Sequence, residues 1–163
     1  MGVDIHVVIT KYNRETNFYE KLSLYQKDSQ GSYKEVKIWF GRDGEMFDAI
    51  SNQSNDETYG VFPSRIIAFN SLEPELREYM RKERETFGCY DFSETTLEEL
   101  KTYCETHKKV KDYDSEWEEN NPILKKNPIR EFYKKIRNYI SVADEDWGWT
   151  DFVLYKILIY FDH

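Results

Sequence analysis

The chain has 163 residues, with 31 acidic against 23 basic side chains and an aromatic share of 17% from 13 Tyr, 10 Phe and 4 Trp. A single domain spanning residues 1–163 fits that length and buries roughly 70% of its unfolded surface, and so many aromatics argue against wholesale disorder. The net charge of −8 disfavours direct nucleic-acid binding, and no apolar run approaches the ~20 residues a membrane span needs. The opening Met1-Gly2-Val3-Asp4 lacks a basic n-region and is not expected to act as a secretory signal. Two cysteines, Cys89 and Cys104, are too few for a disulfide scaffold, which suits an intracellular, reduced protein.

Residues 3–10, VDIHVVIT, predict a strand. Val3, Ile5, Val7 and Ile9 share one face; Asp4, His6, Val8 and Thr10 share the other, because side chains alternate with period two. A polar turn at 13–17 precedes a second strand over Phe18–Gln26, and a third follows over Tyr33–Phe40. Gly41-Arg42-Asp43-Gly44 breaks that pattern ahead of a short helix over Glu45–Ser51, and NQSNDETYG at 52–60 reads as a polar loop. Leu72–Phe87 predicts a helix with Pro74 in its first turn and Gly88 after its end. Thr95-Thr96-Leu97-Glu98 fits a capping box for a further helix running to about His107.

The charged stretch 108–121 reads as a surface loop. Pro128 opens a helix to about Ser141, with Ile129, Phe132, Tyr133, Ile136, Tyr139 and Ile140 spaced for burial. An acidic, Trp-bearing loop follows at 144–150. The final stretch Phe152–Phe161, FVLYKILIYF, is nearly continuous in apolar character and predicts a central strand covered on both faces. Strands at the two ends and helices between them predict an α+β domain. Its sheet is antiparallel or mixed, with the first and last strands central and helices packed on one face.

Three groups of residues can carry chemistry. Asp4 and His6 share a strand face about 7 Å apart and can bind a divalent metal or work as an acid/base pair. If the end strands are antiparallel neighbours, Asp162 of the closing Asp162-His163 joins them. Arg42, flanked by glycine and next to a helix start, can hold a phosphate or carboxylate. Trp147, Trp149, Tyr59 and Trp117 lie in polar segments where a ring can stack on a base or dock on a partner. No Cys-x-x-Cys zinc motif and no Gly-x-Ser-x-Gly nucleophile motif occurs.

The opening Met1-Gly2-Val3-Asp4-Ile5-His6 resembles a family of small bacteriophage and prophage proteins that begin Met-Gly-x-Asp-Ile-His. Gly41-Arg42 with Met46-Phe47 is similar to that family's Gly-Arg-x-x-x-Leu-Phe segment. Leu97-Glu98-Glu99-Leu100 after Ser93 and Thr96 is similar to its Leu-Glu-Glu-Leu stretch, and Ile157–Asp162 to its closing apolar strand. Tyr90 stands where the family carries a His, Glu94 where it carries a Trp, and a polar stretch around Asn52 replaces its Asp-Val-Arg.

The resemblance implies a phage origin, a place in the host cytoplasm and a shared fold. With no complete catalytic motif, the leading expectation is a phage-encoded accessory binding protein. It would counter host defence by sequestering a nucleotide-derived signal or a host protein, through Arg42, Asp4, His6 and Asp162. That reading needs no cofactor. One alternative is a metal-dependent hydrolase acting on a phosphoester, with Asp4, His6 and Asp162 as ligands to a divalent metal and Arg42 offsetting transition-state charge. The other is a structural or regulatory phage protein.

Overall fold

The computed structural model describes residues 2–51, 59–112 and 123–163. Its centre is a five-stranded antiparallel sheet. The strands are β1 (Asp4–Asn13), β2 (Phe18–Lys21), β5 (Arg65–Ile66), β6 (Tyr90–Thr96) and β9 (Tyr155–Asp162), in the order β2-β1-β9-β6-β5. The two ends of the sequence therefore pair at the middle of the sheet. β1 runs antiparallel to β9 from Asp4 opposite Asp162 to Lys11 opposite Tyr155. Seven of the eight β9 residues are buried, as a strand covered on both faces requires.

The alternation expected for β1 is present. Ile5 and Ile9 join Ile157, Ile159 and Phe161 on one face. Against that face pack α1 (Gly44–Ser51), α3 (Leu97–Thr106) and α4 (Ile129–Ala143). The stripe anticipated for α4 is its buried side: Ile129, Phe132, Tyr133, Ile136 and Ile140. The other face does not stay open. Val8, Leu158 and Tyr160 are covered by Leu76 and Met80 of α2 (Pro74–Glu85). Helices thus lie on both sides of the sheet, rather than all on one, because the central strands β1 and β9 carry apolar residues on each face.

Several boundaries differ from the sequence expectation. The predicted strand Phe18–Gln26 is two: β2 ends at Lys21, and β3 (Leu24–Lys27) pairs with β4 (Tyr33–Val36) in a separate hairpin. The break falls where the chain turns toward α4, the Tyr139 hydroxyl accepting from Leu24 N–H at 3.1 Å. β4 stops at Val36 instead of running to Phe40. The polar segment Tyr90–Thr96 is a sheet strand, β6, which the sequence expectation lacks; β9 supplies its ladder. The capping box sits one residue later than expected: Glu99 N–H donates to Thr96 Oγ1 at 3.1 Å, and Thr96 N–H to Glu99 Oε1. From the stretch 108–121, β7 (Lys109–Asp112) pairs with β8 (Ile123–Lys126), and residues 113–121 lie outside the described residues. Among the described residues, no helix is long and apolar enough to cross a membrane.

Candidate functional site at the paired chain ends

Pairing β1 with β9 sets Asp4 directly opposite Asp162 and His6 opposite Tyr160. Directly opposite side chains in an antiparallel pair have Cβ atoms about 5 Å apart, where two like charges destabilise each other. Each carboxylate is offset by a cationic or imidazole neighbour. Arg42 Nε donates to Asp4 Oδ1 at 3.1 Å, and Asp162 Oδ2 lies 3.9 Å from His6 Nε2. The four residues singled out from the sequence therefore gather at one end of the central strands.

Arg42 is held from two sides. Ile5 N–H donates to the carbonyl of Gly41, whose φ of +65° is a left-handed turn that favours glycine. Gly2 passes against the Arg42 side chain so closely that a Cβ there would lie 2.8 Å from Arg42 Cβ and Cδ. The Arg42 side chain is nevertheless 54% exposed, and among the described residues its hydrogen bond uses Nε. Its two terminal nitrogens remain available to an incoming anion.

His6 is held by ring stacking. It lies parallel to Tyr160 at a centroid distance of 5.0 Å, and Tyr160 stacks on Phe92 at 4.8 Å on the sheet's same face. His6 Nε2 is buried and has no hydrogen-bond partner. Next to it comes a group that sequence spacing did not single out. Cys89 Sγ, His6 Nε2 and a carboxylate oxygen of Asp162 lie within 4.8 Å of one another. Cys89 follows Gly88, whose left-handed φ of +70° lets the chain leave α2 and enter β6 beside β9. Burial, and next the carboxylate of Glu83, push the Cys89 thiol up to about 11. Glu83 also accepts from the thiol at 3.8 Å and from the Tyr160 hydroxyl at 3.3 Å. Burial and the adjacent Tyr79 hydroxyl raise Tyr160 far above the ordinary phenol range, so it stays a neutral donor.

A thiolate, an imidazole and a carboxylate are a donor set that suits Zn²⁺, with room left for a fourth ligand. Asp4, placed with the metal ligands from sequence, is instead engaged by Arg42. Only proximity in the fold could reveal Cys89, because 83 residues separate it from His6 and its own surroundings carry no ligand spacing.

The other residues singled out are dispersed. His163 stacks on Tyr90 at 5.0 Å. Trp147 stacks on Phe152 and covers the core. Tyr59 is buried, Trp149 is 92% exposed, and Trp117 lies outside the described residues. Comparison with protein-family models, with characterised proteins and with solved structures yields no match for this chain.

Proposed function

We propose that this chain is a binding protein, a phage-type accessory protein that acts in the host cytoplasm by sequestering a nucleotide-derived signal of host defence. The presentation of Arg42 carries this reading. Asp4 fixes the guanidinium through Nε, Gly2 buttresses its stem, and the side chain is half exposed. A guanidinium already oriented loses little freedom when it meets one phosphate or carboxylate with both terminal nitrogens. AMP, with its single phosphate, is the probe for a thermal-shift measurement. Stabilisation by AMP that disappears in Arg42→Ala supports the reading. An AMP response unchanged in Arg42→Ala, or absent from the wild type, refutes it. A host protein retained instead in pull-downs would move the target from a small molecule to a macromolecule.

A second reading, a metal-dependent hydrolase of a phosphoester, draws support from the His6–Cys89–Asp162 cluster. A divalent ion there would activate a water and polarise the phosphoryl oxygens, with Arg42 offsetting developing charge. Zn²⁺-dependent cleavage of bis(p-nitrophenyl) phosphate, lost in Cys89→Ser and suppressed by EDTA, would select this reading over simple capture. Metal binding without turnover would leave capture as the function.

A further inference from the structure

A cavity of about 550 Å³ lies far from β1 in sequence, between α3 and α4. Lys101 and Lys108 border it from α3 and its C-terminal end, Lys126 from β8, and Arg130, Lys134 and Arg137 from α4. The spacings 101–108 and 130–134–137 place these cations on the facing sides of two adjacent helices. Among the described residues, two carboxylates, Glu105 and Glu131, line the same groove. The lining therefore carries +4 in a chain of net −8, which leaves −12 for the remainder.

Acidic residues outnumber basic ones in this protein, so an exposed cation has partners within easy reach. Several cations elsewhere are taken up: Arg65 pairs with Glu99, Arg81 with Glu78 and Glu85, Lys125 with Glu45. Among the described residues, none of the six groove cations forms an ion pair. Charges kept for solubility are interspersed in sign; these are concentrated in a concavity, where low-dielectric walls focus the field on whatever enters.

The groove is also partly organised in advance. Asn127, almost fully buried, donates to the Tyr103 hydroxyl at 2.9 Å and accepts from Ile129 N–H at 3.0 Å, which fixes the start of α4 at the cavity wall. Arg137 packs over the Tyr133 ring at 5.6 Å, so one guanidinium is oriented before any ligand arrives.

We propose that this groove binds a nucleotide-sized small molecule carrying clustered phosphates. The volume lies in the range of small-molecule sites, and several phosphates are the chemistry that six unpaired cations neutralise best. A long nucleic acid fits less well, since it would leave the groove for a surface of opposite preference, and screening confines the favourable field to about 10 Å. The site is separate from Arg42 and stands whether or not the sheet-end reading holds.

Isothermal titration of the full chain at low salt, without magnesium, tests it with ATP, inorganic tripolyphosphate, adenosine and a short single-stranded oligonucleotide. ATP and tripolyphosphate are expected to bind in the groove and adenosine not to bind. The double substitution Arg130→Glu/Lys134→Glu should weaken both ligands by about tenfold or more. Arg137→Gln, which keeps the groove's shape, should weaken them by about threefold. Arg14→Glu/Lys27→Glu makes the same charge change at exposed positions outside the groove and should leave affinity within about twofold. Failure of both phosphate probes to bind overturns the proposal, as does equal weakening by the control pair. Tighter binding of the oligonucleotide than of ATP also overturns it, and so does loss of binding in Arg42→Ala alone, which would assign the phosphates to the sheet end.

Discussion

Glu94 is a carboxylate 2% exposed, and Lys156 is the one buried charged side chain of β9. Each accounts for the other: Lys156 Nζ lies 2.7 Å from Glu94 Oε2. The remaining valences are also used. Ala68 N–H donates to Glu94 Oε1 at 2.6 Å, Lys156 donates to Ser71 Oγ at 3.1 Å, and the ammonium sits 4.1 Å over the Tyr19 ring. Removing one member strands the other in a low-dielectric interior. Glu94→Ala should lower unfolding free energy by about 3–5 kcal/mol in urea denaturation. Glu94→Leu combined with Lys156→Met should recover most of that loss, since the pair's own attraction roughly balances its desolvation. From the sequence, Glu94 was visible only as a departure from a family pattern. Its partner lies 62 positions on, and only the pairing of β6 with β9 shows why a carboxylate can occupy that strand.

At the scale of elements, the junction between β6 and α3 shows how local chemistry sets a boundary. Thr96 ends the strand and caps the helix, and Glu99 returns the bond to the Thr96 N–H. Glu99 also binds Arg65 of β5, so the cap is tied to the sheet's edge. Burial pushes the Glu99 carboxyl up, but the Arg65 and Thr96 hydrogen bonds outweigh it and hold it below its usual range. Thr96→Ala should cost about 1 kcal/mol, read as a lower midpoint with unchanged slope in urea. Thr96→Ser should retain most of the stability. The capping signal was legible because Thr-x-x-Glu acts within four residues; its frame was not, because Thr95-x-x-Glu98 satisfies the same pattern. Thr95 is fully buried and Glu98 exposed, so the strand's register against β9 made the choice. The short pieces β3, β4 and β7 were hard to delimit for a related reason: four-residue strands carry too few alternations to declare a face.

For the molecule as a whole, Asp144 joins parts far apart in sequence. It accepts from Lys11 of β1 at 3.2 Å, from the Tyr155 hydroxyl of β9 at 2.7 Å and from Asp146 N–H at 3.0 Å, just beyond the end of α4. Burial raises its pKa, but these donors prevail and hold the carboxyl below its ordinary value. A depressed carboxylate contributes stability fully above the unfolded pKa of about 3.9 and loses it as pH falls through the lower folded value. Thermal stability should therefore drop as pH is taken below about 4, and Asp144→Asn should flatten that segment of the curve while lowering stability at neutral pH. A curve for Asp144→Asn parallel to the wild type's through this range would remove Asp144 from the acid response.

By itself the sequence determined the class of fold and the candidates for chemistry. A near-continuous apolar run must be a doubly covered strand, alternation divides β1 into two faces, and a helical stripe declares the inner side of α4. These are consequences of local geometry and burial. What only the tertiary structure decided is proximity: Cys89 beside His6 and Asp162, and six cations lining one groove of a chain with net charge −8. Net charge adds every residue regardless of position, whereas a ligand responds to the field within a Debye length, and chain folding alone determines which charges share that volume.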